Sequence, residues 1–136
     1  HTMSMFSIFN VSGSAISAQS QRLNVVASNL ANVDAVAGPD GQAYKARQVV
    51  FQTAAMGSDS AAGVRVSGMS ESNVPGRRVH DPAHPSADEQ GYVTHSNVNA
   101  VEEMVNMISA SRSYQNNVEV MNTAKSLLLK TLQMGQ

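Results

Sequence analysis

Glycine and proline are confined almost entirely to the middle of this 136-residue chain. All four prolines (39, 75, 82 and 85) and seven of the nine glycines lie between positions 38 and 91. Proline removes a helical donor and clashes with the preceding turn; glycine carries a backbone entropy cost. The two ends are therefore where long helices fit, and the middle is where turns and short strands belong.

The first helix is expected from about Met5 to Val33. Ile16, Leu23 and Leu30 recur at sevens, and Val26 and Val33 follow Leu23 and Leu30 by three, which is the seam of a coiled coil. Gln19 takes the remaining seam position, and Ser17, Ser20, Gln21, Asn24 and Ser28 form the opposite face. Gly13 weakens the start, so Met5 to Val11 is expected as a separate or frayed turn. The helix is expected to stop near Asn32-Val33-Asp34, before the Gly38-Pro39-Asp40-Gly41 turn.

The second helix is expected from about Val98 to Gln133, capped by Asn97 or Asn99. Glu102 and Glu103 near its start and Lys125 and Lys130 near its end suit the helix dipole. Its apolar stripe reads Val101, Met104/Val105, Ile108, Val118, Met121, Leu128/Leu129 and Leu132. Such a helix is roughly 50 Å long, more than a domain of this size can bury, so the stripe needs a partner helix, another copy or another protein.

Between the helices, Tyr44 to Thr53 and Gly63 to Ser67 alternate as strands, and Arg77 to His80 and Tyr92 to His95 are two more candidates. Ala54 to Ala62 is small and polar and is expected as a mobile loop. The fold class that follows is α+β, with long N- and C-terminal helices packing as a coiled-coil-like pair and a small β-rich middle segment. The segments are 3–33, 34–96 and 97–136. His1-Thr2, ahead of Met3, reads as a vector remnant.

Hydrophobic residues make up 42%, enough for a core, but charged residues only 14%, below the roughly 25% of an ordinary domain. The net charge of −1 gives no pull toward nucleic acid or anionic lipid. With no cysteine, disulfides, thiolate metal sites and cysteine nucleophiles are excluded. No apolar run exceeds three residues, so direct membrane insertion and a cleaved signal peptide are not expected.

Catalytic chemistry finds little support. His80, Asp81, His84, Asp88, Glu89 and His95 have metal-ligand chemistry, but Pro82 and Pro85 forbid the helix that would align His80 with His84. These residues read as turn residues near a strand end. No phosphate-loop or nucleophile-elbow motif is present. The chain is expected to have no enzyme activity, catalytic residues, metal or cofactor. Seven helical asparagines, at 24, 29, 32, 106, 116, 117 and 122, read either as solvated surface or as hydrogen-bonding groups that fix helix register.

Two terminal motifs carry a family resemblance. Ser12-Gly13-Ser14-Ala15-Ile16-Ser17-Ala18-Gln19 leads into Leu23-Asn24-Val25-Val26-Ala27-Ser28-Asn29-Leu30-Ala31-Asn32. This resembles the N-terminal signature of the bacterial flagellar rod, hook and hook-associated axial proteins. Val101-Glu102-Glu103-Met104-Val105-Asn106-Met107-Ile108-Ser109-Ala110-Ser111-Arg112-Ser113-Tyr114 resembles their C-terminal signature. The segments Gly41 to Phe51, Asp81 to Asp88, Gly91-Tyr92-Val93 and Asn97-Val98-Asn99 are similar to the short rod members of that family. The chain departs from many axial proteins at Asn32-Val33-Asp34-Ala35-Val36, and at Gln48, where a charge is common.

The resemblance implies a structural subunit of the proximal rod of the flagellar basal body. It implies export by the flagellar type III apparatus without a cleaved signal peptide, and assembly in the periplasm through the terminal helices. The implied partners are other rod proteins, copies of the chain and the export apparatus, with no nucleic acid. The seams and terminal motifs together nominate an assembly interface of Ile16, Leu23, Val26, Asn29, Leu30, Asn32, Val101, Val105, Ile108, Tyr114, Val118, Met121, Leu128 and Leu132. Two rival classes fit the residues without the motifs: a self-contained helical-hairpin chaperone or adaptor, and a metal enzyme built on His80, His84 and His95.

Overall fold

The computed structural model describes residues 2–56 and 58–135, with side chains described for 6–55 and 62–135. In chain order the elements are α1 (Thr2–Ala31), β1 (Arg47–Met56), β2 (Ser58–Glu71), β3 (Arg78–His80), β4 (Tyr92–Thr94) and α2 (Ala100–Met134). His1, half of the expected vector remnant, lies outside the described residues.

Helix α1 is continuous across Gly13, so the expected separate turn at Met5 to Val11 is not formed. Gly13 faces α2: a Cβ there would lie 3.6 Å from Met121 Cε. Packing on a neighbouring helix thus outweighs a propensity cost of about 1 kcal/mol. The helix ends at Ala31, slightly before the expected Val33. The Asn32 side chain stops it by donating from Nδ2 to the Ser28 carbonyl at 2.8 Å. Of the two candidate caps for α2, Asn99 takes the role: its side chain accepts from the Glu102 N–H at 3.1 Å.

The helices run antiparallel, with Asn29 meeting Glu103 near one end and Gly13 meeting Met121 further along. Their seam is built from small side chains. Ser12, Ala18 and Val26 of α1 and Ala110 and Ala124 of α2 are buried. In α2, Glu103, Ala110, Asn117 and Ala124 recur at sevens on the inward side, Asn117 being half-buried. The apolar stripe at the start of α2 does not face α1. Val101, Met104, Val105 and Ile108 are 70%, 55%, 61% and 59% exposed. Small residues allow close helix approach, and so the bulky ones point outward.

Strands β1 and β2 form an antiparallel hairpin, from Arg47 opposite Glu71 to Met56 opposite Ser58. The loop expected at Ala54 to Ala62 is therefore strand as far as it is described. The ladder begun at Val49-Val50-Phe51 continues through small residues, pairing Ala54 with Gly63 and Ala55 with Ala62; Gly57 lies outside the described residues. A register shift falls between Val50 and Phe51, where Ser67 Oγ donates to the Val50 carbonyl at 3.2 Å. Strands β3 and β4 form a second, three-rung ribbon, of which Val93 is the buried residue. This ribbon is tied to the end of α1 by the Val36–His95 bridge and by Ala37 N–H donating to the Thr94 carbonyl at 2.8 Å.

Candidate assembly interface

Asn29 sits on the last turns of α1, three residues after the buried Val26, and is fully buried. Its Nδ2 donates to the Arg47 carbonyl at 2.8 Å and to Glu103 Oε2 at 3.0 Å. Its Oδ1 accepts from the Tyr44 hydroxyl at 2.8 Å and the Arg47 N–H at 3.0 Å. An amide offers two donors and an acceptor with two lone pairs, so all of this side chain's capacity is used. One residue thereby joins α1, the entry to β1 and the first turn of α2.

Asn97 performs a parallel task just ahead of α2. Its Oδ1 accepts from the Ala46 N–H, and its Nδ2 donates to the carbonyls of Ser72 at 3.0 Å and Val74 at 2.8 Å. Both roots of the hairpin are thus held by one side chain. Ser96, also buried, donates to the Val33 carbonyl at 2.7 Å.

The sequence-nominated residues separate into three groups. Val26 and Asn29 are enclosed by their own chain, so they support the surface from beneath and are not available to a neighbour. Ile16, Leu23, Leu30, Asn32, Tyr114, Val118, Met121 and Leu128 are half-buried along the flanks of the helix pair. Val101, Val105, Ile108 and Leu132 stand exposed on α2. The asparagines divide likewise: Asn29 bridges the helices, Asn117 donates to the Ser113 carbonyl of its own helix at 2.7 Å, and Asn24, Asn116 and Asn122 face solvent.

Sequence reasoning missed two features of this site. Glu103 suits the helix dipole, but its phase with Ala110, Asn117 and Ala124 also marks it as inward-facing. The exposure of Met104, Val120, Leu127 and Leu129 was also missed. Ile8, Val120, Ala124 and Leu127 line an apolar groove of about 450 Å³ at the α1 start. A second, polar groove of about 540 Å³ lies between α1, α2 and the hairpin root, lined by Arg22, Arg47, Glu71, Glu102 and Glu103 among others.

The histidine-rich segment makes structural contacts. His80 meets the Tyr92 ring edge-on at 4.9 Å, and Arg78 lies 4.7 Å from the centre of the same ring. His84 Nδ1 accepts from the Ser86 N–H at 3.0 Å. Asp88 Oδ1 accepts from the N–H groups of Gln90 and Tyr92, each at 2.9 Å, and its Oδ2 accepts from Arg78 at 3.0 Å. The Tyr92 N–H is the main cause holding the Asp88 carboxyl below its ordinary pKa, with slight burial opposing it and the Gln90 N–H and Arg78 adding to it. Among the described residues no three of His, Asp and Glu converge as metal ligands.

Comparison with known proteins matches residues 9–39 to the family described as flagella basal body rod protein. Residues 89–134 match the flagellar basal body rod FlgEFG protein C-terminal family. The chain is 60% identical over 134 residues to flagellar basal-body rod protein FlgC of Yersinia enterocolitica, covering 98% of this chain and all of the relative. It is 56% identical over 134 residues to the protein of that name in Salmonella typhimurium, with the same coverage. The Buchnera aphidicola protein from Acyrthosiphon pisum is 46% identical over 136 residues, again covering 98% of this chain and all of the relative. These names describe a structural component and not an enzyme. With two helices whose bulky residues point away from their own core, and with full-length identity at this level, the chain belongs to the FlgC family of flagellar basal-body rod proteins.

Proposed function

We propose that the chain is a proximal-rod subunit, assembled in the periplasm through its terminal helices after export by the flagellar type III apparatus without a cleaved signal peptide. Its neighbours are other rod proteins and copies of itself. The observation that carries this reading is the inverted helix pair: small residues inside, and Val101, Met104, Val105, Ile108, Leu127 and Leu132 outside. These exposed apolar groups, one near each end of α2, mark interaction surfaces. Ile16, Leu23, Leu30, Asn32, Tyr114, Val118, Met121 and Leu128 form their flanks. Distinct patches joined head to tail produce an open assembly when the rotation does not close.

Complementation tests the reading. The chain, expressed in a Salmonella strain lacking its own FlgC, restores swimming and is recovered in purified basal bodies. Cytoplasmic retention, or swimming restored without incorporation into basal bodies, would contradict it.

A further inference from the structure

The β1–β2 hairpin has no core of its own. Among the described elements it packs on α1 and on no other. Val50, Phe51 and Met69 remain exposed on it. A two-stranded hairpin is at best marginal in water without a packing layer, so its order depends on α1, with Asn97 clasping its roots. The links to α1 are specific. The Val64 N–H donates to Ser14 Oγ at 3.1 Å, and the Arg47 N–H and carbonyl both engage the Asn29 side chain. The same Asn29 amide donates to Glu103 of α2. One rotamer satisfies all of these bonds, and a swing of that amide breaks the hairpin contact and the helix contact together.

We propose that Asn29 is a latch that makes the order of the β1–β2 hairpin conditional on the pairing of α1 with α2. The hairpin is then presented only once the helix pair has closed. This deepens the reading of assembly through the terminal helices: docking that orders the helices also orders the outer hairpin. Helices of this kind draw their stability from packing rather than from propensity, so the isolated subunit gains or loses both parts at once.

Amide exchange on the free full-length chain, under increasing trimethylamine N-oxide to favour burial, tests the latch. Peptides covering 14–31, 47–56, 58–71 and 100–124 gain protection at one common osmolyte concentration. Tyr44→Phe, which removes one donor to Asn29, lowers protection about fivefold in α1 and hairpin alike, the scale of one hydrogen bond. Two results overturn the proposal: hairpin protection while 14–31 or 100–124 exchanges freely, or a Tyr44→Phe effect confined to the hairpin. The measurement does not involve rod incorporation, so a failed latch and a failed assembly reading are told apart by this experiment and by complementation.

Discussion

Asn29 and Glu103 lie 74 positions apart in sequence and meet at 3.0 Å, Asn29 fully buried and Glu103 only 8% exposed. No cation lies within salt-bridge distance of Glu103 among the described residues. Its carboxylate accepts from Asn29 and, at 3.5 Å, from Asn106, and it lies in the first turn of α2, where the helix dipole favours an acidic group. The contact joins the two ends of the chain through one hydrogen bond.

Asn29→Ala is therefore expected to cost more than a typical substitution. It leaves the Arg47 N–H and carbonyl and Glu103 Oε2 without the amide, while Tyr44 keeps Ser28 Oγ at 3.2 Å and Glu103 keeps a long contact with Asn106 at 3.5 Å, a loss of roughly 2–4 kcal/mol by the cost of unmet buried polar groups. Urea unfolding of the purified chain measures it. A loss within about 0.5 kcal/mol, the range of ordinary surface changes, would show that water replaces the amide freely.

Two glycines provide a matched pair. A Cβ at Gly76 would run into the His95 carbonyl oxygen, which is backbone and cannot swing aside, whereas a Cβ at Gly68 meets nothing within 4 Å. Gly76→Ala should destabilise by about 1–3 kcal/mol, the usual cost of overpacking. Gly68→Ala should be near neutral or slightly stabilising, since it reduces unfolded-state entropy. Thermal melts of the two variants should thus shift apart, with Gly76→Ala the lower.

Acid should loosen the β3–β4 ribbon. The Asp88 pKa is lowered in the folded chain, chiefly by the Tyr92 N–H. Its contribution is present above the unfolded carboxylate value of about 3.9 and is lost as pH falls through the lower folded value. Amide chemical shifts of Gln90 and Tyr92 should therefore titrate below about 3.9 in the parent and lose that step in Asp88→Asn. A midpoint above the ordinary carboxylate value would reverse the sign of the argument.

The helices and the short strands were legible because breakers and periodicity are local signals. What the chain does with the helices was only half legible. The stripe from Val101 through Ile108 was visible, but periodicity cannot say whether a stripe meets its own chain or a neighbour. The decisive sign was the second heptad at Glu103, Ala110, Asn117 and Ala124, which is polar and small and so carries no hydrophobic pattern. Likewise the end of the hairpin, Ala54 and Ala55 on β1 and Ala62 on β2, reads as a loop because small residues have weak β preference. It is the ladder opposite, a non-local feature, that extends the hairpin. Asn29 stood out as one of seven helical asparagines, but its partners Tyr44, Arg47 and Glu103 come from three distant places in the sequence.

The triple replacement of His80, His84 and His95 by alanine should leave basal-body incorporation and swimming intact, with at most a modest loss of stability. His80 gives up an edge-on contact with Tyr92, and His95 has a buried Nδ1 with no hydrogen-bond partner. Swimming lost in this variant and restored by added zinc would revive a metal-dependent reading.

In the proposed assembly the outward face of α2 meets a neighbouring subunit and the inward face does not. Ile108→Asp and Ala110→Asp place the same charge two positions apart, on an exposed site and a buried one. Incorporation into purified basal bodies should be lost in both, but circular dichroism and urea unfolding of the isolated chain should be unchanged by Ile108→Asp and badly disturbed by Ala110→Asp. Ile108→Asp subunits present at parental levels in basal bodies of swimming cells would contradict the account, because that face would then have no partner to lose.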